Sequence, residues 1–104
     1  MEISLVYITV GSETEARDIG RALIDARLAA CVNIHGAVQS LYRWDGAIQE
    51  DTEVVLIAKT RTSLVSALTS KVIALHSYDC PCIVSLPIVG GNPAFLDWVM
   101  EETA

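Results

Sequence analysis

From Ile3 to Val10 the chain reads Ile-Ser-Leu-Val-Tyr-Ile-Thr-Val and then breaks at Gly11-Ser12. A run this rich in β-branched and aromatic residues predicts a strand. Ser12-Glu13-Thr14-Glu15 follows, a hydroxyl N-cap with a glutamate three residues on, so the next element is a helix. Its apolar positions Ala16, Ile19, Leu23, Ala26 and Ala30 recur at steps of three and four and turn one stripe toward a sheet. Cys31 to Tyr42 and Ile48 to Lys59 read as two long strands flanking Arg43-Trp44-Asp45-Gly46, where Asp-Gly supplies the positive-φ residues of a tight hairpin. Thr62-Ser63 opens a second amphipathic helix through Leu64, Val65, Leu68, Val72 and Leu75, which Ser77-Tyr78-Asp79 and Pro81 terminate. A last strand runs from about Cys82 to Ile88. Asn92-Pro93 is an N-cap with proline at the first helical position, so a short helix follows through Phe95, Leu96, Trp98 and Val99.

The order is βαββαβ plus a C-terminal helix. A right-handed crossover and a hairpin return close it as an α+β fold, a four-stranded antiparallel ferredoxin-like sheet with helices on one face. At 104 residues, with no linker or repeat, residues 1–104 form a single domain. Both faces of the strands are apolar, however. Ile3, Leu5 and Tyr7 alternate with Val6, Ile8 and Val10, and Val55 and Ile57 with Val54, Leu56 and Ala58. The face that the helices leave open predicts self-association. The aromatics Tyr42 and Trp44 beside the hairpin turn are expected to grip a neighbour.

Thirteen acidic against seven basic residues give a net charge of −6, with no Lys/Arg cluster. Nucleic acid and anionic membranes are therefore not expected partners. The opening segment lacks a basic leader and its apolar run is too short for a signal peptide or membrane span, so a cytoplasmic protein is expected. The odd count of three cysteines, Cys31, Cys80 and Cys82, suits reduced thiols.

No nucleotide, hydrolase or zinc-protease motif occurs, and no nucleophile and base stand at a recognisable spacing, so an enzyme is not expected. The lone His35 reads as a solvated side chain. His76-Ser77-Tyr78-Asp79-Cys80-Pro81-Cys82 brings an imidazole, a carboxylate and two thiols into one turn. If Cys80 and Cys82 are extended, their sulfurs share a face and suit copper(I) or zinc, with His76 or Asp79 completing the shell; packing of two small thiols about a proline is the other reading. The topology puts Cys31 at the opposite end of the sheet from Cys80 and Cys82. Gly11, Ser12, Glu13 and Glu15 fall beside His76, and the helix start at Ser12 would also suit an anion.

The strings Leu28-Ala29-Ala30-Cys31-Val32-Asn33-Ile34 and Ser40-Leu41-Tyr42-Arg43-Trp44-Asp45-Gly46, with Glu53, Lys59-Thr60, His76, Tyr78, Pro81, Leu86-Pro87-Ile88, Gly91-Asn92 and Trp98, resemble the CutA divalent-cation tolerance proteins. The resemblance implies a homotrimer like the PII signalling proteins, with sheets facing inward and hairpins reaching across neighbours. It implies a cytoplasmic role in divalent-metal tolerance, with copper or another divalent ion as the bound metal and no defined reaction. It also implies a ligand cleft between subunits drawing on Lys59, Tyr78, Trp98 and Glu53, and the PII likeness offers an alternative role as a signalling module for a small anionic ligand. The chain departs from the family's pattern where Ser77 replaces a proline and Cys82 replaces a common glutamate, a change that favours softer ions if that position binds metal.

Overall fold

A computed structural model describes residues 2–104. Strand β1 is Ile3–Val10, helix α1 Glu13–Asp25, strand β2 Cys31–Trp44, strand β3 Ala47–Arg61, helix α2 Val65–Leu75 after a short 3-10 turn, strand β4 Ile83–Ile88 and helix α3 Pro93–Glu102. The four strands form one antiparallel sheet in the order β2-β3-β1-β4, the ferredoxin-like arrangement that the sequence predicts.

Local chemistry sets the ends of these elements. Ser12 caps α1 by accepting from the Glu15 N–H at 3.2 Å, and Asn92 caps α3 by accepting from the Ala94 N–H at 3.1 Å with Pro93 in the first turn. The predicted stripe to Ala30 overruns the helix. Ala26 is its C-cap and Arg27 turns left-handed at φ 57°, although Ala29 and Ala30 stay buried in the loop beyond. Asp45 and Gly46, at φ 52° and 76°, make the two-residue hairpin turn.

The main core lies between the sheet and helices α1 and α2. Val6, Ile8 and Val10 pair in register with Ala58, Leu56 and Val54, and all six are buried with Ile19, Leu23, Leu68 and Val72. Thr60 also lies in the interior, and its hydroxyl has no partner among the described residues. Removing that orphan oxygen relieves a desolvation cost. Thr60→Val is expected to stabilise the protein by about 1 kcal/mol, read as an upward shift of the denaturation midpoint; a lower midpoint would show a partner for the hydroxyl.

One expectation is corrected. Helix α3 does not join α1 and α2 but packs on the other face of the sheet. Val99, Leu96 and Met100 cluster with Ile3 and Ile88, which pair with each other and share the parity opposite to Val6 and Ile8. Two arginines hold the helix's C-terminal carbonyls there. Arg61 donates to the Met100 carbonyl at 2.6 Å, and Arg27 donates to the Glu101 carbonyl at 2.9 Å.

This second face is covered only at its ends. Between them, Val84 and Leu86 of β4 are each about half exposed. Beyond Val10, β2 and β3 continue without a third strand, through seven paired positions from Val38↔Glu53 to Trp44↔Ala47. This arm, roughly 24 Å long at strand spacing, lengthens the molecule to 44 × 25 × 23 Å. A bulge sets its orientation. His35 pairs with Val55 but Val38 pairs with Glu53, so Gly36 and Ala37 together face Val54. The extra residue reverses the alternation of β2. Tyr42 and Trp44, which simple alternation from Val32 and Ile34 would put on the helix side, therefore lie on the open side with Glu53, Val55 and Ile57.

Candidate functional site

The segment after α2 is anchored at the upper end of the sheet by its own side chains. The imidazole of His76 is fully buried. Its Nε2 lies 2.7 Å from the Thr9 carbonyl and its Nδ1 lies 3.1 Å from the Tyr78 N–H. A carbonyl only accepts and an N–H only donates, so the ring carries its proton on Nε2. Glu15 reaches across from α1. Its carboxylate accepts from the Ser77 N–H at 2.8 Å, the Ser77 hydroxyl at 3.1 Å and the Gly11 N–H at 3.4 Å, and lies 3.6 Å from His76 Nδ1. Burial pushes this carboxyl upward, but the Ser77 and Gly11 hydrogen bonds and nearby His76 outweigh it and hold it below the ordinary carboxylate range. Glu15 thus places the protein's own carboxylate beside the helix start expected to suit an anion.

Tyr78 extends the network to the open face, where its phenol donates to Glu53 at 3.0 Å. Glu53 is 8% exposed although charged. Further along the same strand Asp51 accepts from the Tyr42 phenol, and this bond, with some burial and the charges of Asp51 and Glu53, raises Tyr42 above the ordinary tyrosine value. Burial, the bond to Glu53 and the surrounding charge of Glu53, Glu15 and Asp51 push Tyr78 up to about 12. Since the folded value exceeds the unfolded one of about 10, this group's stabilising contribution is full below the unfolded value and is lost as pH rises through the folded one. Tyr78→Phe is expected to cost about 1 kcal/mol near neutral pH by leaving Glu53 without its donor, and to flatten the alkaline fall. Melting temperatures of the two proteins between about pH 9 and 12 test this linkage; parallel curves would contradict it.

The expected site residues fall into separate groups. Tyr78, Glu53 and His76 meet at the upper end. Lys59 pairs with Cys31 and Leu5 toward the other end and donates to Asn33 Oδ1. Trp98, on α3, stacks at a tilt on Phe95 at 5.5 Å. Lys59 and Trp98 therefore do not share a cleft with Tyr78 and Glu53 within one subunit. Trp44 and Tyr42 stand 52% and 41% exposed on the arm. Leu41 and Ile48, at 67% and 70%, are exposed apolar arm residues that the sequence reading passed over; their place beside the Asp-Gly turn was the available signal.

All three cysteines are free, Cys80 and Cys82 exposed and Cys31 half-buried at the opposite end. The set His76, Cys80 and Cys82 is not assembled as a three-ligand centre. Among the described residues no three His, Cys, Asp or Glu side chains gather as a metal-holding group, and both ring nitrogens of His76 are occupied by backbone partners. Cys80 and Cys82 stand in the same segment as exposed thiols. No helix among the described residues is long and apolar enough to cross a membrane.

Comparison with known proteins finds a match along nearly the whole chain. Residues 4–102 match the family described as CutA1 divalent ion tolerance protein. The divalent-cation tolerance protein CutA of Thermus thermophilus is 50% identical over 99 residues, 95% of this chain and 96% of its own. A CutA homolog of Xenopus laevis is 48% identical over 97 residues, 93% of this chain but 64% of the frog protein, so the chain spans somewhat less than two thirds of that relative. Among solved structures, CutA1 of Oryza sativa superposes with a TM-score of 0.97 at 42% identity, covering 100% of this chain and 95% of the rice chain. The family description names ion tolerance and indicates no catalytic activity. Matched along nearly its whole length in sequence and in fold, the chain belongs to the CutA1 divalent ion tolerance family.

Proposed function

We infer that the protein acts in metal tolerance as a homotrimer that binds metal, with copper as the ion and the cytoplasm as the compartment. The observation that carries this reading is the apolar strip on the open face. Val84 and Leu86 form it at 50% and 51% exposure, and on the same side of the arm, beyond Glu53 and Asp51, stand Tyr42 and Trp44 at 41% and 52%. A strip of this kind on an otherwise acidic surface calls for a partner of the same character, and copies of this chain supply one. In the trimer the sheets face inward and the arms, with Tyr42 and Trp44, cross onto neighbours, an arrangement like that of the PII proteins. Metal is taken by the soft donors Cys80 and Cys82, with His76 behind them holding the segment in place. Three unpaired cysteines suit a reducing cytoplasm.

The alternative, a small anionic ligand held between subunits by Lys59, Trp98, Tyr78 and Glu53, requires a neighbour's copy to join the two ends. The carboxylates of Glu53, Asp51 and Glu15 at the upper end repel an anion, which favours the metal reading. Light scattering at micromolar concentration should return three times the 11.2 kDa protomer mass. Equilibrium dialysis against copper(II) or zinc(II) with metal quantitation should find bound metal. A one-copy mass would overturn the assembly, and metal-free protein after dialysis would overturn the binding role.

A further inference from the structure

We propose that the groove between helix α1 and the edge strand β2 is a binding site for a small amphipathic anion, a carboxylate carried on an apolar body. Arg17 and Arg21 take the charged group, and Ile24 and Ile34 take the body. The site stands apart from the metal reading. It shares no residue with Cys80 and Cys82, and its strand wall, Val32 and Ile34, pairs with Ala58 and Leu56 on the helix side of the sheet, away from the face that self-association covers.

Three features carry it. First, the fold makes a concavity there. A groove of about 520 Å³ runs between α1 and the outer strand of the sheet, within the roughly 300–1,000 Å³ of small-molecule sites. Its floor is Gly20 against Val32. A Cβ added at Gly20 would lie 3.5 Å from Val32 Cγ1, so the helix sits low on the strand and sends no side chain into the space. Second, the walls are apolar and wet. Ile24 of α1 and Ile34 of β2 line the groove at 40% and 41% exposure. An apolar ligand body laid between them removes surface of both from water.

Third, the charge at this groove is opposite to that of the protein. The chain carries −6, yet Arg17 and Arg21 both line the groove against one carboxylate, Asp25. Four residues apart, the two arginines are neighbours on one helix face. Other cations are already engaged, Arg27 and Arg61 by carbonyls of α3 and Lys59 by Asn33. Arg21 enters no salt bridge among the described residues. Arg17 has only Glu13, at 3.6 Å with the side chains 62% and 60% exposed. An exposed pair of that kind is worth at most about 1 kcal/mol and yields to a better-placed carboxylate. Guanidinium forks bind carboxylates by two parallel hydrogen bonds. The isoleucines favour an anion with an apolar body over a bare hydrated ion, which covers neither of them.

The test uses the full-length protein carrying Cys80→Ser and Cys82→Ser, which leaves Cys31, half-buried in the lining of the groove, as the one thiol. Calorimetry follows its titration with 4-phenylbutyrate, acetate and 4-phenylbutylamine at about 0.1 M ionic strength, where distant exposed charges are screened beyond about 10 Å. Alkylation of Cys31 by iodoacetamide is timed with and without each compound. The expected result is that 4-phenylbutyrate binds once per protomer and slows alkylation. Acetate, which lacks the body, and the amine, which carries the opposite charge, should do neither. Arg17→Gln and Arg21→Gln should each weaken binding about tenfold, the loss of one charge-assisted hydrogen bond. Arg43→Gln removes the same charge from the arm and should leave binding unchanged. Saturable binding that both groove variants leave unaltered, equal binding of the amine, or no binding of 4-phenylbutyrate overturns the proposal. Binding lost in Lys59→Gln but kept in Arg21→Gln also overturns it, and assigns the anion to the cleft between subunits.

Discussion

Replacing Leu56 by alanine is expected to destabilise the protein by about 3–5 kcal/mol, the largest effect of any single truncation considered. Leu56 is fully buried and stands between Ile8 on β1 and Ile34 on β2 in the register of the sheet. Above it lies Gly20 of α1, whose missing side chain lets the helix approach so closely that an added Cβ would lie 3.9 Å from Leu56 Cδ2. Strand hydrogen bonds fix the floor and the helix fixes the roof, so the cavity left by alanine cannot collapse, and the cost stays near the top of the range for such truncations. For a domain of 104 residues, each kcal/mol moves the melting temperature by about 4–8 °C, so a fall of at least about 12 °C is expected at matched protomer concentration. Val89→Ala serves as the control. Its side chain is 97% exposed, and it should move stability by no more than about 0.5 kcal/mol. A Leu56→Ala protein melting within a few degrees of the parent would show that the core is not centred on the α1–sheet interface.

Much of this fold was legible because the signals are local. Alternation in Ile3–Val10, the Ser12 cap, the Asp45-Gly46 turn and the Asn92-Pro93 start each act over a few residues, and the structure bears each of them out. What was not legible depends on distant contacts. The face chosen by α3 is set by Arg61, far away in sequence, whose guanidinium holds the Met100 carbonyl. The end of α1 is set by Arg27, which leaves the helix and reaches the Glu101 and Ala104 carbonyls, while the apolar period continues past it to the buried Ala29 and Ala30. The bulge at Gly36 and Ala37 carried a weak signal, a glycine inside a strand. Its effect is large nonetheless, because it transfers Tyr42 and Trp44 from the helix side to the open side, and no alternation count that ignores it can assign their face.

The chemistry was half legible for a related reason. That Glu15 would come near His76, and that Cys31 would lie apart from Cys80 and Cys82, follow from strand order alone, and both hold. Which atoms of His76 are free is decided by the Thr9 carbonyl and the Tyr78 N–H, and backbone groups leave no trace in a list of side chains. The same holds for Lys59 and Trp98, whose residue types suit a ligand cleft but whose positions within the subunit lie away from Tyr78 and Glu53.

Substitution of His76 by alanine, measured on metal-free protein, should separate a supporting role from a liganding one. The ring is fully buried, and its two nitrogens satisfy the Thr9 carbonyl and the Tyr78 N–H. Alanine leaves both groups unpaired and opens a cavity between α2 and the end of β1, so a loss of about 2–4 kcal/mol is expected in chemical denaturation. In the same medium Cys80→Ser and Cys82→Ser should each lie within about 0.5 kcal/mol of the parent, because their thiols are exposed and bond to nothing. If His76 instead served the protein only as a metal ligand, its removal would leave the metal-free protein's stability untouched and abolish metal uptake. A large stability loss at His76 beside near-silent cysteines places the imidazole in the framework that holds the segment.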